Sequence, residues 1–205
     1  MPAAPAELIG SLEPYRMRIA LFLLLAALTS LLSPFATVGG FAPIGTRCRP
    51  SSIDELSGTW LQVGQHGLAE YLTHLGVGWA RRKAATSFTP LQTWVTADGG
   101  LRMTMRSPLG KFAESFPLRR DERERDMDGR TFLKRTTWTR QGELTAVSRD
   151  VTGKMTDVIA TRWLEAGPGA SCHSLEGHGV RMVQETCHEG VCYRRLFERQ
   201  PAASQ

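Results

Sequence analysis

No Ser-His-Asp order, phosphate-cradling glycine loop or dinucleotide fingerprint occurs in this chain. The common signatures of serine hydrolases, nucleotide-driven enzymes and nicotinamide enzymes are therefore absent. Nucleic-acid motifs are missing too, and acids interrupt the richest basic stretch, Arg119 to Arg130, so no nucleic-acid partner is expected. Cysteine is scarce: Cys48, Cys172, Cys187 and Cys192 include no CxxC pair and define no disulfide scaffold. His173, His178 and His188 lie near the last three cysteines but match no standard ligand spacing, so neither metal nor cofactor is expected. The longest apolar run, Ile19 to Leu32, falls short of the roughly 20 residues that a membrane span requires. No internal repeat is present.

What remains is the composition of one soluble globular domain with an appendage: 205 residues, 41% hydrophobic and 22% charged. The net charge of +5 falls on the later part, because Glu7, Glu13, Arg16 and Arg18 cancel. Arg81, Arg82 and Lys83 are its tightest basic cluster, either a solvated helix face or a surface for transient contact with anionic membranes. Arg16 and Arg18 precede the apolar run, and Ser33-Pro34 and Gly39-Gly40 end it, which is the pattern of a cleavable signal. Residues 1–52 are read as a targeting presequence, with the mature chain starting near Phe41 or later. Cys48 falls inside that segment.

The domain is expected over residues 53–205. Leu56 to Leu61 reads as a first strand, and Leu68, Tyr71, Leu72 and Leu75 recur at helical spacing before Gly76. A second short helix, Trp79 to Ala85, carries the basic cluster, giving a helical pair within residues 66–86. Period two then replaces period 3.6: Gln92 to Thr96, Leu101 to Arg106, Lys111 to Leu118, Thr131 to Thr139, Glu143 to Arg149, Thr156 to Leu164, Val180 to Cys187 and Val191 to Arg199. Turns punctuate these runs at Asp98-Gly99-Gly100, Asp128-Gly129, Gln141-Gly142 and Thr152-Gly153, and Ala166 to Gly179 reads as an inserted loop. One helical pair and many short strands predict an antiparallel up-and-down barrel, since closure removes exposed edges. Cys187 and Cys192 flank the turn His188-Glu189-Gly190, where they either bond across a hairpin or serve as two small apolar side chains.

Alternation gives the candidate site. Val158, Ala160 and Arg162 share one strand face, as do Tyr193, Arg195 and Phe197. Two inward arginines with no evident neighbouring acid call for an anionic partner, because a buried guanidinium is costly unless a negative group answers it. Its planar fork matches a carboxylate. A carboxylate-headed, oily molecule is the expected ligand, and outward arginines paired with acids are the plain alternative.

Leu56-Ser57-Gly58-Thr59-Trp60 resembles the first-strand Gly-x-Trp motif of the intracellular lipid-binding protein family, the calycin-type fatty-acid-binding and cellular retinoid-binding proteins. Leu68 through Lys83 is similar to that family's helix-turn-helix lid. Thr161-Arg162-Trp163-Leu164 and Cys192 through Arg199 resemble its two strands that carry ligand arginines. The resemblance spans Ile53 to Arg199. It implies a ten-stranded all-β clam-like barrel with a helical lid, a monomer that binds and transports a hydrophobic ligand without catalysis. Arg162 and Arg195 become the carboxylate-binding residues, Phe197 replaces the family tyrosine, and Leu68, Tyr71 and Trp79 line the lid side. Leu118 to Glu124 departs from the family's Leu-Gly-x-x-Phe stretch, so altered middle strands are expected. Val38 to Phe41, followed by an acid-poor stretch, resembles the bipartite presequences of algae with secondary plastids. Entry to the secretory pathway and delivery to a plastid are what this implies, with secretion or retention in the ER lumen as alternatives. The rival function is an enzyme acting on a lipid or pigment-like ligand in the barrel, for which His74 and Glu114 are the candidates. Their plain readings are a surface histidine and a glutamate paired with an arginine.

Overall fold

The computed structural model describes residues 45–107, 110–125, 130–167, 169–172 and 179–201. The run Ile19 to Leu32, Phe41, the Asp128-Gly129 turn, His173 and His178 lie outside the described residues, as does half of the inserted loop.

Alternating side chains build the strands. In β10 (Val180–His188), Val180, Met182, Gln184, Thr186 and His188 are all buried on the inner face, and the same period-two pattern recurs around the sheet. The other strands are β1 (Thr46–Arg47), β2 (Gly58–His66), β3 (Leu91–Ala97), β4 (Gly100–Ser107), β5 (Gly110–Pro117), β6 (Asp121–Arg125), β7 (Thr131–Trp138), β8 (Leu144–Asp150), β9 (Val158–Ala166) and β11 (Val191–Arg199). Ten of them follow one antiparallel path, β5, β4, β3, β2, β11, β10, β9, β8, β7, β6, so that the first long strand pairs with the last. The barrel is nearly closed. Its end strands, β5 and β6, share no ladder; Leu118, just past β5, forms an isolated bridge with Thr136 of β7.

Trp60, Trp94, Leu101, Phe116, Leu144, Leu164, Met182 and Phe197 form the core cluster. Burying a phenylalanine such as Phe116 or Phe197 fully contributes roughly 1.5–3 kcal/mol. Gly58 of the Gly-x-Trp motif has φ +132, and a Cβ there would meet the Arg199 guanidinium at 2.8 Å. That space lets Arg199 lie 4.3 Å over the Trp60 ring and donate to the carbonyls of Ser57 and Glu55. The motif fastens the last strand to the entry of the first.

The lid comprises α1 (Leu68–His74) and α2 (Trp79–Thr86). Leu68 and Tyr71 are buried, and Tyr71 meets Tyr193 of β11 edge-on at 4.8 Å. Burial pushes the Tyr71 phenol up to about 12, with Tyr193 adding to the shift. Gln65 ties the second helix down by donating to the Thr86 carbonyl at 2.7 Å.

Three features differ from the sequence reading. Residues 45–52 are integral to the barrel unit, although the domain was expected from Ile53. Where β8 runs out opposite Arg162, β1 takes over as the partner of β9 at Glu165 and Ala166. Cys48 is 1% exposed and disulfide-bonded to Cys172, which joins this N-terminal strap to the inserted loop. Cys187 and Cys192 also form a disulfide, across the β10–β11 hairpin. Finally, Asp121 to Arg125 is a strand, with Glu122 and Glu124 inward and Asp121, Arg123 and Arg125 exposed. Among the described residues no helix is long and apolar enough to cross a membrane.

Candidate ligand-binding interior

Register brings the two arginines together. Leu144, Arg162, Gln184, Arg195 and Gln65 are successive partners across β8, β9, β10, β11 and β2. Directly opposed residues project to one face, so the arginines and the two glutamines form one belt facing the interior. A bulge between Leu196 and Phe197 shifts the pairing with β2 and lets both Gln62 and Gln65 face inward, 3.4 Å apart.

Arg162 is 3% exposed, and its Nε and Nη1 have no hydrogen-bonding partner among the described residues. Its guanidinium reaches the opposite wall, 4.7 Å over Phe116 and 5.1 Å over Trp94. These ring faces attract the cation without satisfying its N–H groups. Burial lowers the Arg162 pKa, while Glu114 and then Tyr193 and Glu124 act in the opposite sense. Arginine remains charged regardless. The expectation that no acid lies near it is thus corrected: Glu114 and Glu124 both act on it electrostatically. Arg195 is half-buried beside the Tyr193 ring, with its Nε also unpartnered. Gln62 Oε1, Gln184 Oε1, Thr136 Oγ1 and Thr186 Oγ1 are buried without partners as well. An interior this rich in unanswered polar atoms is adapted to something other than hydrocarbon alone.

A second charged group was not foreseen in the sequence. Lys134 of β7 is 1% exposed and donates to Glu114 of β5 at 3.2 Å and to Glu124 of β6. Its ammonium lies 4.4 Å over the Phe116 ring, which Arg162 also approaches. Burial raises the Glu124 pKa, Glu114 raises it further, and the bond to Lys134 opposes both. Lys134 therefore spans the seam between β5 and β6 with side-chain bonds where the backbone ladder is missing. Glu114, expected to pair with an arginine, pairs with this lysine.

The remaining expected ligand contacts divide. Leu68 and Tyr71 are the buried residues of lid helix α1, and Phe197 is fully buried in the core, one rung from the arginine belt beside Met182. Trp79, expected to touch ligand, is 73% exposed at the start of α2, near the exposed Arg81 and Lys83. Helix α2 presents no buried residue, so this tryptophan projects away from the core.

No family model matches the chain, and no curated protein matches it. Solved structures do. Lipid binding protein 8 of Caenorhabditis elegans aligns at TM-score 0.61 and 23% identity, covering 73% of this chain and 98% of its own. Human cRBP IV aligns at 0.59 and 20% identity, covering 74% of this chain and 100% of its own. A Schistosoma mansoni fatty acid binding protein in complex with arachidonic acid aligns at 0.58 and 19% identity, with the same coverage. These neighbours are binding proteins, and the chain has their fold: a ten-stranded antiparallel barrel carrying a two-helix lid.

Proposed function

We propose that this barrel binds and carries a hydrophobic molecule with an anionic head group, a fatty acid or a retinoid-like acid. The observation that carries the reading is Arg162: a wholly buried guanidinium, unpartnered at two nitrogens and aligned with Gln184 and Arg195. Folding a chain around such a cation is costly unless a ligand completes it. An oxyanion between Arg162 and Arg195 would accept charge-assisted bonds, and the unpartnered amides and hydroxyls favour a ligand with further oxygens. The fold neighbours support the same class, since one is in complex with arachidonic acid. The enzyme alternative needs a nucleophile or an acid-base pair at the ligand, whereas Glu114 is engaged by Lys134 and His74 by His188.

Charge-assisted bonds contribute roughly 1.5–3 kcal/mol each, and 1.4 kcal/mol is a tenfold change. Arg162→Ala and Arg195→Ala should therefore each weaken a long-chain acid by about tenfold or more, while the matching alcohol loses little. Displacement of a fluorescent fatty acid measures both. Parent-like acid affinity in the two variants would refute the carrier mechanism.

We further propose that the chain enters the secretory pathway, with plastid delivery, secretion or ER retention as its routes. Two disulfides and no free cysteine support an oxidising compartment. Alkylation of thiols immediately on cell lysis tests this: four modified cysteines in the native population would contradict it.

A further inference from the structure

Where the lid meets the barrel rim, His74 at the end of α1 lies against His188 and Glu189 of the β10–β11 turn. His74 Nε2 is 2.9 Å from His188 Nδ1 and 3.5 Å from Glu189 Oε2. One ligand atom from each residue falls within 4.8 Å of the others. Tetrahedral zinc with bonds of about 2.0–2.2 Å places its ligands about 3.3–3.6 Å apart. Small side-chain rotations would bring these three to that spacing.

We propose that His74, His188 and Glu189 bind a zinc ion that clamps the lid helix to the barrel rim. The set is two imidazoles and a carboxylate, with a fourth position left to water. Hydrogen bonding fixes which nitrogen of His188 is available. The Thr156 hydroxyl donates to Glu189 Oε1 at 3.1 Å and lies 2.9 Å from His188 Nε2. A hydroxyl has one proton, and an ionised carboxylate only accepts. Nε2 of His188 must then donate to the threonine oxygen, leaving Nδ1 with its lone pair facing His74. In the metal-free protein the proton on His74 Nε2 fills that space. Zinc would replace it, with the proton moving to His74 Nδ1.

The turn suits the role. Glu189 and Gly190 both have positive φ, +49 and +80, as in a two-residue turn where asparagine or glycine is preferred first. Glutamate supplies no such backbone advantage, but it supplies a ligand. The flanking Cys187–Cys192 disulfide stiffens the turn and keeps its sulfurs from competing for the metal.

The proposal does not depend on what the barrel carries. Zinc titration of the full chain by calorimetry should show one equivalent bound. His74→Ala and Glu189→Gln should each weaken it at least tenfold. Thr156 is a positioning residue, and loss of such an outer partner lowers metal affinity about 10–100-fold, the expected result for Thr156→Val. His173→Ala/His178→Ala should bind as the parent does. Zinc should also slow amide exchange over residues 68–75 in the parent and not in His74→Ala. Absent binding, parent-like affinity in His74→Ala, Glu189→Gln or Thr156→Val, or binding lost with His173 and His178 would overturn the site.

Discussion

Lys134→Met is expected to destabilise the barrel by about 3 kcal/mol, because removing one member of a buried ion pair leaves uncompensated charge behind. Glu114, Glu122 and Glu124 face the interior around this lysine, and Glu122 Oε2 is already buried without a partner. The carboxylates keep about a third of their side-chain surface exposed, which holds the expected loss to the lower end of such effects. Urea unfolding near neutral pH measures it. Glu114→Gln and Glu124→Gln introduced together with Lys134→Met should restore most of the loss, since whole ion pairs are often replaceable at little cost. The deficit should also depend on pH with a definite sign. Glu124 has a folded-state pKa above the ordinary 4.5, so the folded state binds more protons than the unfolded one between those two values. Stability from this group therefore rises as pH falls through the folded pKa and is complete below 4.5. Removing Lys134 takes away the bond that opposes this rise, so Glu124 of the variant takes up its proton at higher pH than in the parent, and the deficit should shrink as pH falls from neutral towards the parent's folded pKa. A deficit that is flat or growing over that fall would show that unpaired glutamate charge is not its source.

Loss of the Cys48–Cys172 bond should cost more. Its ends are separated by 124 residues, and the loop-closure entropy of a ring that size corresponds to about 5 kcal/mol in the chain-entropy account. The hairpin bond, with a separation of 5, corresponds to about 2 kcal/mol on the same account. Cys48→Ser/Cys172→Ser should accordingly lower the urea midpoint far more than Cys187→Ser/Cys192→Ser. Equal shifts would mean that loop closure is not what the long-range bond contributes, and that the strap is held by its own contacts, Arg47 pairing with Glu165 and lying 4.4 Å over the Trp163 ring.

The barrel and its two arginines were legible because both are period-two features. Counting alternate residues puts Arg162 and Arg195 on inner faces, and the lid follows from Leu68, Tyr71 and Leu72. Strand β6 escaped notice because hydrophobic alternation marks a strand, and Asp121 to Arg125 contains no apolar residue. Its sign was alternating charge, with glutamates at 122 and 124 answering a lysine ten residues beyond Glu124. Lys134 itself lies in a run, Phe132 to Thr136, where its burial depends on a seam that no local pattern announces. The long disulfide was hidden for a related reason: Cys48 lies in an acid-poor stretch with the character of a leader, and its partner is in a glycine-rich loop. His74 and His188 converge only after the lid has folded over the hairpin.

The sheet order imposes a condition on synthesis from the N-terminus. Strands β2 and β9 become connected in the sheet only through β11 and β10, which follow Cys172 in the chain. When Cys172 leaves the ribosome, every other strand has been made and the wall is still open. The cross-link from strap to loop can already form at that stage, holding the far end of β9 against the segment that leads into β2. The ring then gathers both margins of the breach before the last hairpin arrives to fill it, sparing that hairpin much of the entropic cost of a long-range closure.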